Sequence, residues 1–391
     1  MDALLVVIPA VTVWKDKNRL VFDQKFYDGL MAYVQGWPGR VRCVIRQSSQ
    51  LLPAYVNVHV SPDECLPFEL LLLQNGEPVQ GQHLSGGSVA LISGDDFGLL
   101  HVAGLCKQAD IRCVYLIEYI LETRNQIIRI ESAGWIRRWR RHLFVWYGER
   151  RRLQAFRQAD ALQINGLPAF LEYGWHPHRL LFFDNRIRLD MMPSRSQLQR
   201  RLNGMEAGSP LRLGFSGRLT AIKGADDIIA VADILHRRGL DFSLTIFGGG
   251  ELESLMKQKI AELGLAENVR MVGTVDFETV LIPAVREQID IYLLLHRQSD
   301  PSCTYLETLA CGVPIVGYAN KAFEGILDQA DAGWQAEISA IDQVADIIIT
   351  LNQQRHEISK KSRVALDFAR KHDFRSTFGK RIDQLKALVS V

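Results

Sequence analysis

The chain has 391 residues, 47% of them hydrophobic and 23% charged, with a formal net charge of +2. That length exceeds what one hydrophobic core usually supports, so two domains are expected. The near balance of charge excludes a nucleic-acid-type polycation, and no stretch reaches the roughly 20 apolar residues that a membrane-spanning helix needs.

The first segment, Ala3–Pro9, is a continuous apolar run (ALLVVIP), the signature of a strand buried on both faces of a parallel sheet. It is too short for a secretory signal and has no basic region before it. A helical pattern follows from Phe22 to Val34, then a strand at Val41–Ile45. Residues 46–88, with Pro53, Pro62, Pro67 and Pro78, resist assignment. Val89–Ser93 and Arg112–Ile117 read as buried strands around a helix at Gly98–Gln108, and Ala161–Ile164 and Leu180–Phe183 as two more strands. Alternating strand and helix imply an open α/β sheet. Residues 191–210 are polar and basic and read as a linker. The alternation then restarts, with strands expected at 211–216, 242–247, 268–272, 290–295 and 313–317 and helices between them. The expected organisation is an N-terminal doubly wound domain over 1–190, a linker over 191–210, a second such domain over 211–365, and a terminal helical segment over 366–391. Six cysteines (Cys43, Cys65, Cys106, Cys113, Cys303 and Cys311) form no C-x-x-C pair and match no zinc spacing. Reduced thiols in a cytoplasmic protein are expected.

Ligands of doubly wound sheets bind at the carboxyl ends of the strands, and three segments of the second half carry suitable chemistry there. Gly214-Phe215-Ser216-Gly217-Arg218-Leu219 is followed by Lys223-Gly224 and a helix. Glycine permits close backbone approach, a helix start attracts an anion, and arginine and lysine supply a fork donor and a point charge. A turn with two solvated cations is the plainer alternative. Gly248-Gly249-Gly250 forms a second close-approach turn between strand and helix. In the third segment, Asp300 to Val316, Thr304 and Glu307 have capping-box spacing. Glu307 is equally suited to accept hydrogen bonds from ribose hydroxyls, with the backbone of Ser302, Cys303 and Thr304 turned to a phosphate.

Together the ordered set G-F-S-G-R-L…K-G, the glycine turn and E-T-L-A-C-G-V-P-I-V resembles the donor-binding domain of family 4 retaining glycosyltransferases. The resemblance is strong over 211–334 and loose over the rest. It implies the GT-B fold, two Rossmann-like domains facing across a cleft. It also implies a nucleotide-diphosphate sugar as co-substrate, with no metal and no other cofactor. Arg218 and Lys223 would bind the diphosphate and stabilise the leaving charge, Gly217, Gly248 and Gly250 would lie near the nucleotide, and Glu307 would bind the ribose. The family has two glutamates eight positions apart; the first position here holds Ser299. Either Asp300 supplies that carboxylate, or it only starts an Asp-Pro turn. Where the family often has a histidine after the N-domain strand, this chain has Glu118. It would orient or deprotonate an acceptor hydroxyl, or else pair with Arg124. The implied activity is sugar transfer, with retention, to a saccharide or lipid-linked acceptor in polysaccharide or glycolipid synthesis. A non-catalytic nucleotide-sugar-binding subunit is the alternative.

Residues 134–157, GWIRRWRRHLFVWYGERRRLQAFR, interleave arginines with Trp135, Trp139 and Trp146. Such a helix suits an anionic membrane surface at the inner face; the alternative is a solvated basic face with its tryptophans in the core. Nucleic acid does not fit the sheet-end motifs. His101, His142, His176, His178 and His296 read as structural or surface residues. The pairs Asp95-Asp96 and Asp226-Asp227 make no metal site.

Overall fold

A computed structural model describes residues 3–52, 58–62, 66–132 and 134–389; Cys65 and Pro53 lie outside the described residues. The chain divides into two compact units. Unit 1 holds 1–121, 135–182 and 375–391, and unit 2 holds 122–134 and 183–374.

Unit 1 is built on ten strands among the described residues: β1 (Leu4–Ile8), β2 (Thr12–Asp16), β3 (Arg19–Asp23), β4 (Val41–Gln47), β5 (Val58–Pro62), β6 (Glu69–Leu73), β7 (Gly87–Ser93), β8 (Arg112–Ile117), β9 (Ala161–Asn165) and β10 (Arg179–Phe182). The order β10-β9-β8-β7-β1-β4, continued by β6, is parallel throughout. β1 lies centrally with every residue buried, as its unbroken apolar sequence requires. The stretch that resisted assignment contains β5 and β6. β5 joins the antiparallel ladder β2-β3-β5, and short alternating runs fit such half-exposed strands. The expected helix at Phe22 begins instead at Gln24, because Asp23 caps it by accepting from the Phe26 N–H at 2.9 Å.

The largest corrections concern boundaries. The expected linker over 191–210 is mostly the helix Arg195–Glu206 in unit 2. Its polar sequence concealed a capping box, in which the Ser194 side chain accepts from the Gln197 N–H and the Gln197 side chain from the Ser194 N–H. Buried Arg201 on this helix donates to the carbonyls of Arg286, Cys311 and Gly312, and burial pushes its guanidinium down to about 10. Residues 366–374 belong to unit 2, whereas the helix Phe374–Val389 falls almost wholly in unit 1. There Arg381 and Gln163 on β9 exchange hydrogen bonds of 3.0 and 2.9 Å.

The long helix Trp135–Gln158 is fastened to unit 1 by a buried arginine. Arg152, fully buried, donates to Glu149 at 2.7 Å, the Tyr173 hydroxyl at 3.1 Å, Asp95 at 3.2 Å, and the carbonyls of Gly94 and Tyr119 at 2.9 Å each. Burial opposes the charge, but Tyr173, Asp95 and Glu149 outweigh it and hold the arginine above its ordinary pKa. Asp95 in turn accepts from the backbone N–H of Glu118 (2.7 Å) and Tyr119 (3.2 Å). One guanidinium thereby joins the loops after β7 and β8 to the helix. Arg152→Met should strip the largely buried Glu149 and Asp95 of the cation they share and cost about 3–5 kcal/mol. Urea titration would detect this, and adding Glu149→Gln should recover part of the loss.

Unit 2 contains β11 (Leu211–Ser216), β12 (Phe242–Phe247), β13 (Val269–Gly273), β14 (Ile291–Leu294), β15 (Ile315–Tyr318) and β16 (Gly333–Ala336). They pair in parallel in the order β13-β12-β11-β14-β15-β16. The strand order reverses between β11 and β14, which are direct neighbours, so the loops leaving their carboxyl ends start side by side.

Candidate functional site

The glycine turns have an internal reason. A Cβ on Gly248 (φ +116°) would stand 2.0 Å from the Gly217 carbonyl oxygen, and one on Gly250 would stand 2.7 Å from the Leu219 backbone. Leu219 donates to the Gly249 carbonyl, and Leu252 to the Leu219 carbonyl, both at 3.0 Å. The turn after β11 and the turn after β12 are therefore packed backbone to backbone. The close approach expected of Gly248 and Gly250 is made to a neighbouring turn, which alone explains them. Gly248→Ala should cost at least about 2 kcal/mol in chemical denaturation. Gly249→Ala, whose Cβ meets nothing nearer than 3.4 Å, should be close to neutral.

Gly224, with φ +65°, repeats the device where the next helix starts: its Cβ would lie 2.0 Å from the Leu295 carbonyl oxygen. Arg297 completes the clamp between the β11 and β14 loops. It donates to the Ala221 carbonyl at 3.0 Å and pairs with Asp226 at 2.9 Å and Asp227 at 2.6 Å. Asp227 also accepts from the Tyr318 hydroxyl at 2.7 Å. Asp226 and Asp227 are thus the counter-ions of a clamp, and Asp95 and Asp96 those of Arg152 and Arg46.

Across this clamp, buried Lys223 reaches Asp300, Nζ to Oδ2, at 2.8 Å, and Gln298 donates to the same oxygen at 3.3 Å. Arg218 stands exposed at the end of β11 and forms no ion pair among the described residues. The pairing with Lys223 was not legible: Asp300 was expected as a turn residue or a sugar ligand. His296, at the start of the same loop, is 1% exposed, edge-on to Tyr305 at 5.4 Å, and its Nδ1 meets no partner among the described residues. Burial, then the nearby Lys223 charge, pushes its pKa well below the ordinary imidazole value.

The helix after the loop is Cys303–Ala310, with Ser302 at its N-cap and no side-chain cap bond from it. The expected Thr304–Glu307 capping box is therefore not formed: Thr304 is inside the helix, and its hydroxyl accepts from Ser302 at 3.3 Å. Glu307 is buried and takes its hydrogen bond from Arg186, Nε to Oε1, at 3.0 Å. The Arg186 guanidinium lies 3.6 Å from the Phe277 ring centroid. Arg186 lies 121 positions earlier in the chain, and no local pattern pointed to it.

Ser299, in place of the family's first glutamate, is 1% exposed. Its N–H donates to the Gln126 side chain at 2.8 Å, its carbonyl accepts from the Thr123 hydroxyl at 3.2 Å, and its own hydroxyl accepts from the Lys321 N–H at 3.2 Å. Gln126 and Thr123 lie on the helix Leu121–Glu131, most of which belongs to unit 2. In unit 1, Glu118 is half-buried directly after β8, held through its backbone by Asp95. His101 and His176 each bond a backbone carbonyl, of Val79 and Ala159, as structural histidines do.

The geometry defines two Rossmann-like units, the second with two basic side chains and a carboxylate at the strand crossover. Residues 204–367 match the family described as Glycosyl transferases group 1. Over 161 residues it is 29% identical to the amylovoran biosynthesis glycosyltransferase AmsK of Erwinia amylovora, covering 38% of each chain. Over 119 residues it is 33% identical to a GDP-mannose-dependent alpha-(1-6)-phosphatidylinositol monomannoside mannosyltransferase of Mycolicibacterium smegmatis, covering 28% of this chain and 31% of that one. These matches span about two fifths or less of the relatives' own length. Among solved structures, Anabaena HepE in complex with UDP aligns over 100% of both chains with a TM-score of 0.66 and 13% identity. WaaG, a glycosyltransferase involved in lipopolysaccharide biosynthesis, aligns over 97% of this chain and 98% of its own, with a TM-score of 0.61 and 14% identity. The fold is GT-B.

A neutral buried histidine gives the site a sign in pH. In the unfolded chain His296 takes up a proton below about pH 6.5, while the folded chain resists it, so stability falls as pH drops. The slope from this one group is at most about 1.4 kcal/mol per pH unit. Denaturation of the wild type and His296→Gln at pH 7.5 and 5.0 measures it. The variant should lose less stability on acidification, and parallel losses would refute the assignment.

Proposed function

We propose that the protein moves a sugar from a nucleotide-diphosphate donor to the hydroxyl of a saccharide or lipid-linked acceptor, with retention of anomeric configuration, in polysaccharide or glycolipid assembly. The observation that carries this reading is the buried Lys223, matched only by an exchangeable carboxylate, at the crossover of a Rossmann-like sheet, with the exposed Arg218 on the same loop. The donor diphosphate would take both cations. Glu307, oriented by Arg186, would accept from the ribose hydroxyls, and Ser302, Cys303 and Thr304 would present the helix start to phosphate. As the anomeric C–O bond breaks, its electron pair passes to the diphosphate oxygen, where Arg218 and Lys223 stabilise it. The acceptor oxygen bonds to the same face of the anomeric carbon, and its proton passes to the leaving oxygen. Glu118 would orient the acceptor. The AmsK and mannosyltransferase likenesses favour such an acceptor class.

A second reading, a nucleotide-sugar-binding subunit without transfer, draws on Ser299. Its backbone and hydroxyl are already engaged where the resemblance expects a glutamate. Release of free nucleotide from a panel of UDP-, GDP-, ADP- and TDP-sugars in the presence of acceptor separates the two. NMR of the product anomer tests retention. In calorimetry with UDP and GDP, Arg218→Ala and Lys223→Ala should each weaken binding at least about tenfold, the worth of one charge-assisted hydrogen bond. Unchanged binding in both variants would remove the diphosphate assignment.

A further inference from the structure

The helix Trp135–Gln158 is amphipathic in an inverted sense. Its buried residues are Val145, Gly148, Glu149, Arg152, Ala155 and Phe156, a stripe of mostly small or charged groups. Gly148 lies so close to Phe97 that a Cβ would stand 2.4 Å from that ring. With about 100° between successive residues, the opposite stripe contains Trp135, Ile136, Trp139, Leu143, Trp146 and Tyr147. All six are exposed, Trp135 at 79% and Trp139 at 61%. The alternative of tryptophans in the core is therefore overturned: the core side of this helix is closed by Arg152, and the large apolar groups point to solvent.

Arginines flank that stripe. Arg140 and Arg151, both exposed, border it on one side, and exposed Arg150 lies within it, 3.8 Å over the Trp146 ring. The one acidic residue of the helix, Glu149, is buried against Arg152. The outward face is consequently both apolar and cationic, without an exposed carboxylate of its own. A second copy of the chain would bring arginines against arginines. A soluble acidic partner would satisfy the charge but not demand three exposed tryptophans. A bilayer with anionic headgroups answers both: indole and aliphatic groups enter the headgroup–acyl boundary, and guanidinium groups meet phosphate. No helix among the described residues is long and apolar enough to cross a membrane, so the contact would lie in the interface plane.

We infer that the N-terminal two thirds of the Trp135–Gln158 helix docks this protein in the plane of an anionic lipid surface. The same helix is tied by Arg152 to the loops after β7 and β8. Docking would thus fix the carboxyl edge of unit 1, with Glu118, relative to the lipid.

Full-length protein is sedimented with vesicles of phosphatidylcholine alone or with 30–40 mol% (approximately) phosphatidylglycerol. Binding to the anionic vesicles, weakening as salt rises, and a blue shift of tryptophan emission are expected. The triple variant Trp135→Ser, Trp139→Ser, Leu143→Ser should partition at least about tenfold more weakly, and Arg140→Gln with Arg151→Gln should lower binding to anionic vesicles while leaving the fold unchanged by circular dichroism. No binding to anionic vesicles would overturn the inference. So would equal binding to both vesicle types, wild-type binding by the folded variants, or a dimer in sedimentation velocity that the triple variant abolishes.

Discussion

A buried ammonium group needs an anion within reach, and for Lys223 that anion is Asp300. The contact joins the loops that leave β11 and β14, the two strands between which the chain reverses its order. Much of the surrounding architecture keeps those loops in step: Gly224 under the Leu295 carbonyl, Arg297 across to Ala221, Asp226 and Asp227, and Tyr318 on Asp227. These supports are backbone packing or an arginine shared among several acceptors, which resist displacement. The Lys223–Asp300 pair has only a Gln298 amide beside it. On the proposed reading it is the exchangeable member of an otherwise fixed frame. A diphosphate would compete with Asp300 for the ammonium, and the released carboxylate would become available to a sugar hydroxyl. That sequence reconciles two roles which a single static contact cannot serve together.

Glu307 illustrates a different solution. Its carboxylate is largely out of water, and Arg186 supplies both charge and direction while resting on Phe277. A bidentate partner would have consumed both oxygens, whereas here the contact runs from Nε to Oε1. Ribose recognition through the other oxygen is compatible with that arrangement.

The strongly buried parallel strands were legible because sequence and environment agree: an unbroken apolar run such as Leu4–Ile8 has only one kind of place in a protein. Glycine–cation punctuation located the ends of β11 and β12 for a similar reason, since few residues tolerate those backbone approaches. What escaped depended on partners remote in sequence. Arg186 for Glu307 and Gln126 for Ser299 are choices made by the folded chain, not by any local pattern. The helix Arg195–Glu206 was missed because its apolar side is sparse and buried Arg201 takes the place of a hydrophobe. The capping box formed at Ser194, not at Thr304, although both sequences offered the spacing. Spacing states that a cap is available; the entry direction of the chain decides whether it is used.

Arginine in this molecule takes the positions where a periodicity argument expects leucine. Arg152 and Arg201 each sit on the buried side of a helix, and each is surrounded by backbone carbonyls. A guanidinium can satisfy several such oxygens at once with fixed geometry. It can therefore join loop ends and helix ends that an aliphatic side chain would leave unpaired. The consequence for the Trp135–Gln158 helix is direct. With Arg152, Glu149 and Gly148 sharing the inward stripe with Val145, Ala155 and Phe156, the residues Trp135, Trp139 and Trp146 are left on the opposite side. Their exposure follows from how the helix is anchored.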